Sequence, residues 1–155
     1  MNVNDKVENF ILNGIDENGE EKTFSFSDFK GKNVVLYFYP KDDTPGCTQE
    51  ACDFRDNFNR LVSKALVVGV SADGIESHKK FKAKHDLNFI LLSDPEHKVM
   101  EKFEAYGEKL MYGKKVTGVI RSTFIIDKDG IIKKVWHNVR VNGHVDNVLS
   151  ELEKL

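Results

Sequence analysis

Residues 34–39 are apolar at every position, the pattern of a strand covered on both faces rather than one that shows a face to water. Residues 65–70 repeat that pattern. Pro40 ends the first run, and from Pro45 to about residue 64 the period changes. Ala51, Phe54, Phe58, Leu61 and Ala65 recur at spacings of three and four, which predicts one continuous helix with a single apolar stripe. Upstream, residues 10–14 and 22–26 flank an Asp16-Glu-Asn-Gly19 turn and predict an N-terminal β-hairpin. A helical turn at most follows, at 27–29. Residues 75–85 read as a helix whose Lys79, Lys80, Lys82 and Lys84 form the wet face. Residues 88–92 read as a strand, and Asp94-Pro95 as the opening of a helix to about residue 103, with proline at its first position. Residues 106–118 hold three glycines and show no period, so they read as a long loop. Residues 119–127 and 131–137 predict two strands across Asp127-Lys-Asp-Gly130, and 142–155 a closing helix with Val145, Val148, Leu149 and Leu152 inward. Hairpin, then β-α-β-α-β-α, then hairpin and helix predicts an α/β fold: a central mixed sheet flanked by helices.

A length of 155 residues suits one domain spanning 1–155, large enough to bury a core. The net charge of −2 offers no electrostatic footprint for nucleic acid. No signal-peptide pattern opens the chain, and no apolar run approaches the roughly 20 residues needed to span a bilayer. The expected compartment is the cytoplasm, where structural disulfides are rare. That makes the two cysteines, Cys47 and Cys52, candidates for chemistry. The five histidines show no metal-ligand spacing.

Thr44-Pro45 reads as an N-cap followed by proline at N1, which puts Cys47 at about N3. Unpaired N–H groups and the positive end of the helix dipole there favour thiolate over thiol. Cys47 lies four residues before Ala51 and shares the apolar stripe, whereas Cys52 falls with Arg55, Asp56 and Asn59 on the polar side. Five residues along an ideal helix rise about 7.5 Å and rotate roughly 140°, so the two Cα atoms sit about 8.7 Å apart. A disulfide needs them within about 6.8 Å. Were the two to pair, the first helical turns would have to unwind. Asp42 and Asp43 read as loop charges whose negative field opposes a thiolate. Arg121 places a charge inside an otherwise apolar predicted strand, where an ion pair alone would also account for it. Cys47 as an inert buried cysteine, Cys52 as an incidental surface thiol, Thr44 as a cap only and Glu50 as a helix-start carboxylate all stay open on these grounds.

The motif Pro40-x-x-x-Thr44-x-x-Cys47 resembles the active-site signature of peroxiredoxins. Thr-Pro-Gly-Cys-Thr-x-x-Ala-Cys52 resembles the subgroup called bacterioferritin co-migratory protein or peroxiredoxin Q. The likeness continues in Met111-Tyr-Gly-Lys, in Gly118-Val-Ile-Arg-Ser-Thr-Phe-Ile-Ile-Asp127 and in the closing Val-x-Gly-His144. It implies a thioredoxin-like fold and a peroxidase that works without metal, haem or flavin. Cys47 would be the peroxidatic cysteine, which hydrogen peroxide or an organic hydroperoxide oxidises to a sulfenic acid. Thr44 would hold the peroxide, Pro40 shield the sulfur, and Arg121 stabilise the thiolate and the transition state, oriented by Glu50. Cys52 would be the resolving cysteine, and thioredoxin or a glutaredoxin-like dithiol the reductant of a monomeric enzyme. A general disulfide oxidoreductase and a non-catalytic redox sensor are the competing readings.

Overall fold

The structure, a computed structural model, describes residues 1–155. Its elements in chain order are β1 (Ile11–Ile15), β2 (Glu21–Ser25), a 3₁₀ turn (Phe26–Phe29), β3 (Val34–Phe38), α1 (Pro45–Asp56) and α2 (Phe58–Val62). There follow β4 (Leu66–Ser71), α3 (Ile75–His85), β5 (Ile90–Ser93), α4 (Lys98–Lys102), β6 (Tyr106–Met111) and β7 (Lys114–Val119). β8 (Ser122–Ile126), β9 (Ile132–His137) and α5 (His144–Leu152) complete the chain.

Seven strands form one mixed sheet in the order β2-β1-β5-β4-β3-β8-β9. β3, β4 and β5 run parallel, and the pairs outside them are antiparallel. The two all-apolar runs are thus the adjacent parallel strands β3 and β4, with Leu36 opposite Val68. Strand alternation divides the core. Val34, Leu36 and Phe38 pack on one face with Phe26, Met100 and Phe103. Val35, Tyr37 and Tyr39 pack on the other with Cys47, Ala51 and Phe54 of α1, Phe81 of α3 and Val148 of α5. Each large apolar side chain buried in this way contributes about 1.5–3 kcal/mol. Gly69 lies opposite Tyr37 because a Cβ there would stand 2.9 Å from the Tyr37 ring.

Four expectations need correction. The stripe from Ala51 to Ala65 is carried by two helices, because Asn57 (φ −100, ψ 12) leaves helical geometry and its side-chain amide donates to the Asp53 carbonyl at 2.8 Å. The helix expected to open at Pro95 starts at Lys98. Residues 94–97 form a turn closed by His97 N–H to Asp94 O at 3.0 Å, and the Asp94 carboxylate then accepts the Met100 N–H at 2.9 Å. Residues 106–118 are not a loop. They form the two-stranded β6–β7 ladder, turned by Tyr112 (φ 53) and Gly113 (φ 78), both left-handed as a tight hairpin requires. Finally, Lys82 leaves the wet face of α3. It is buried, and its ammonium donates to the carbonyls of Leu87 and Phe89, tying the end of α3 to the approach of β5.

Candidate active site

The site forms where β3 ends and α1 begins. Tyr39 N–H still reaches Val70 O at 3.0 Å, then Pro40 breaks the ladder and the chain loops over to Pro45. Pro40 is half-buried at this exit. Thr44 occupies the N-cap position with extended geometry, and its carbonyl accepts the Thr48 N–H at 2.8 Å as the helix starts. Its hydroxyl does not cap the helix, however. It donates to Lys41 O at 2.8 Å, across the loop. Cys47 is therefore the third helical residue, where the N–H groups of Gly46 and Cys47 have no intrahelical acceptor.

Three of the expected residues meet. Arg121 Nη2 lies 3.4 Å from Cys47 Sγ, and Arg121 Nη1 donates to Glu50 Oε1 at 2.7 Å. Cys47 is 1% exposed, Glu50 0%, and the Arg121 side chain 16%. Arg121 precedes β8 rather than lying within it; its carbonyl accepts from Val139, and the Phe38–Ser122 pairing sets it beside the exit of β3. Gly46 gives it room, because a Cβ there would sit 3.2 Å from Nη2. Behind the sulfur, Tyr37 stacks on Phe54 at 4.7 Å and on Tyr39 at 5.4 Å. Cys52 is half-buried farther along α1, and both thiols are free. A polar cleft of about 550 Å³, lined by Gly46, Gln49, Asp53, Gly143 and Asp146 among others, opens beside the first turn of α1.

One guanidinium thus faces two groups able to be anions. Burial pushes the Glu50 carboxyl up, to about 7, against the opposing pull of Arg121; its second oxygen, Oε2, has no donor. A carboxyl that holds its proton more tightly folded than unfolded stabilises the fold most at low pH. Stability should therefore decline as pH rises from about 4.5 towards 7, and Glu50→Gln should flatten that decline. Urea midpoints measured across this range, for both proteins, provide the check.

Asp42 and Asp43 do not confront the sulfur with unmatched charge, as the sequence suggested. Asp42 is buried against His78 of α3, with Oδ2 2.7 Å from Nδ1. Asp43 pairs with Lys84 at 2.8 Å and His85 at 3.0 Å. Both loop carboxylates are matched by α3. Sequence reasoning missed this pairing; the one available signal was two adjacent acids in a loop next to a buried strand. His144, from the closing motif, lies under Trp136 with Nε2 2.8 Å from Thr123 Oγ1, and burial holds it down at about 4, aided by the Arg121 charge. No three His, Cys, Asp or Glu side chains are grouped to hold a metal ion, and no helix is long and apolar enough to cross a membrane.

The AhpC/TSA family model matches residues 3–135. Peroxiredoxin Bcp of Bacillus subtilis is 47% identical over 156 residues, covering 100% of this chain and 97% of that protein. Peroxiredoxin Bcp of Escherichia coli is 43% identical over 140 residues, covering 90% and 88%. Among solved structures, a cysteine-to-serine mutant of Xylella fastidiosa PrxQ superposes with a TM-score of 0.91 at 35% identity, covering 99% of this chain and 96% of that one. Xanthomonas campestris bacterioferritin comigratory protein, solved as trapped intermediate and ligand complexes bearing on alkyl peroxide reduction, gives 0.83 at 37%, covering 92% and 90%. The mixed sheet flanked by helices, with its N-terminal hairpin, is the thioredoxin-like fold of those proteins.

Proposed function

The chain belongs to the AhpC/TSA family and is a peroxiredoxin, a thiol-dependent peroxidase, and we propose that Cys47 is the nucleophile that its peroxide substrate oxidises. The observation that carries this assignment is the 3.4 Å contact between the buried Cys47 Sγ and Arg121 Nη2. Positive charge stands where a thiolate's negative charge resides and where charge develops as the peroxide bond breaks. The thiolate attacks the nearer peroxide oxygen; the S–O bond forms, the O–O bond breaks, and the leaving oxygen takes a proton to depart as water or an alcohol. Thr44 has committed its own hydroxyl proton to Lys41 O, so its lone pairs are free to accept the O–H of an incoming peroxide. Pro40, half-buried at the strand exit, limits water on that side. Glu50 anchors the guanidinium that both steps use.

Cys52 then attacks the sulfenic acid, giving a Cys47–Cys52 disulfide and water. In the reduced fold α1 runs unbroken from Pro45 to Asp56, so this step requires its first turns to unwind. A dithiol such as thioredoxin or a glutaredoxin-like protein returns the disulfide to thiols. No second subunit is needed for this cycle, which fits a monomer, and its reductants are those of the cytoplasm. The near-complete burial of Cys47 disfavours a general disulfide oxidoreductase, whose nucleophile must reach sulfurs on other proteins.

Peroxide consumption coupled to thioredoxin, thioredoxin reductase and NADPH tests the reading. The wild type should turn over. Cys52→Ser should still form one sulfenic acid per chain, trapped with dimedone, yet lose turnover by on the order of 100-fold as an intramolecular thiol is replaced by an external one. Undiminished turnover in Cys52→Ser would remove Cys52 from the cycle. After one equivalent of peroxide, amide exchange should accelerate across residues 45–51 and not in α3. An oxidised protein with the disulfide formed and α1 still protected would refute the unwinding step.

A further inference from the structure

The loop between Pro40 and Thr44 is held from outside by a polar cluster, buried at Tyr39, Asp42 and His78, that the chemistry above does not use. The Asp42 carboxylate receives three donors: the Tyr39 hydroxyl on Oδ1 at 2.6 Å, and the Ser77 hydroxyl and His78 Nδ1 on Oδ2 at 2.8 and 2.7 Å. His78 Nε2 faces Leu92 O at 2.8 Å, an atom that can only accept. Held at both ring nitrogens, His78 ties the loop, through Asp42, to the inward face of α3 and the backbone of β5. The backbone N–H of Asp42 donates in turn to Asp73 Oδ2 at 2.7 Å, which the Ser71 hydroxyl also reaches at 2.8 Å. Asp43 takes a left-handed φ of 59 and reaches Lys84 and His85. One residue before this anchor, Lys41 presents the carbonyl that fixes the Thr44 hydroxyl.

We propose that Asp42 and His78 are positioning residues for the peroxide reaction: their buried pair clamps the 40–44 loop to α3 and thereby sets the Lys41 carbonyl and the Thr44 hydroxyl. Burying a polar pair of this kind is an expensive way to gain stability, since desolvation offsets most of the attraction, but it fixes direction and register well. The loop needs that directional hold, because a shift of about 1 Å in a group that orients substrate lowers rates by on the order of 100-fold. This inference rests on the peroxidase reading and on Thr44 meeting the peroxide.

The test uses the Cys52→Ser chain as parent, so that Cys47 is the sole thiol, and adds His78→Ala, His78→Gln and Asp42→Asn. Two rate constants are measured for each at urea concentrations below the unfolding transition: sulfenic acid formation with hydrogen peroxide, and alkylation by iodoacetamide, which needs no Thr44. His78→Ala and Asp42→Asn should lower the peroxide constant about 10- to 100-fold with alkylation unchanged or faster. His78→Gln, whose amide can still donate to Asp42, should recover part of the loss. Ile132→Ala, a cavity in the core on the opposite face of the sheet, supplies a destabilised control that should keep the parent's ratio of the two rates. The inference is overturned if His78→Ala and Asp42→Asn react with peroxide as fast as the parent, or if Ile132→Ala shifts the ratio equally. A parent inert to peroxide overturns the peroxidase reading itself, and this inference with it.

Discussion

Cys47→Ser is expected to abolish peroxide consumption, a fall of at least about 10⁴-fold that mirrors the loss of other activated nucleophiles. The reason is chemical rather than steric, because serine fits the same space. Its hydroxyl does not ionise near neutral pH even beside a guanidinium, and neutral oxygen is a poor nucleophile toward peroxide. The surroundings should survive: Arg121 keeps its bond to Glu50, and Phe54, Tyr37 and Ala51 keep their packing. The variant should therefore unfold at nearly the same urea concentration as the wild type. Stopped-flow peroxide assays and equilibrium unfolding on one preparation separate the two effects. Full activity in Cys47→Ser would sink the assignment.

Arg121→Met should produce the second-largest loss, and on two axes at once. Removing a preorganised charge from a forming transition state typically lowers rates by about 10²–10³-fold. The same change leaves Glu50, which has no exposure, without its counter-ion, and breaking such a buried pair destabilises proteins by about 3–5 kcal/mol. At neutral pH the penalty should fall toward the lower end, because the carboxyl already titrates at about 7 and can simply take up a proton. A double variant distinguishes the axes. Glu50→Gln added to Arg121→Met should recover most of the stability and none of the rate. Recovery of both would mean that Arg121 serves packing alone.

Much of the arrangement could be read from the chain because its signals were local. The unbroken apolar run of β3, the proline after it and the Thr44-Pro45 start of α1 place Cys47 at a helix N-terminus without any long-range information. The stripe through Ala51 and Phe54 likewise turned the sulfur inward and left Cys52 half-buried. What escaped notice depended on distant partners or on unusual turn chemistry. A tyrosine, not asparagine or aspartate, precedes the glycine of the β6–β7 turn, and that hairpin stands off the main sheet with Leu110, Met111 and Tyr112 exposed, so neither face showed alternation. Asn57 breaks its helix through its own side chain, which periodicity cannot register. Asp42 and Lys82 looked like surface charges because their partners, His78 and the Leu87 and Phe89 carbonyls, are set by tertiary structure.

The side chains by which α1 grips the sheet are unequal along its length, and this inequality should set how the enzyme fails under stress. Its first two turns are seated by Cys47, Glu50 and Ala51: a thiol, an ion pair and one methyl group. The next inward residue is Phe54, wedged face-on against Tyr37, and beyond it Asn57 interrupts the helix. Peeling the helix from its start is thus easy as far as Ala51 and steep at Phe54, with Cys52 on the easy side of that step. Small residues act as the hinge pin and one aromatic as the stop. Ala51 is 1% exposed, so enlarging it would overpack the seat of these first turns and loosen them; on the proposed cycle the sulfenic acid would then be resolved sooner and be less open to a second peroxide.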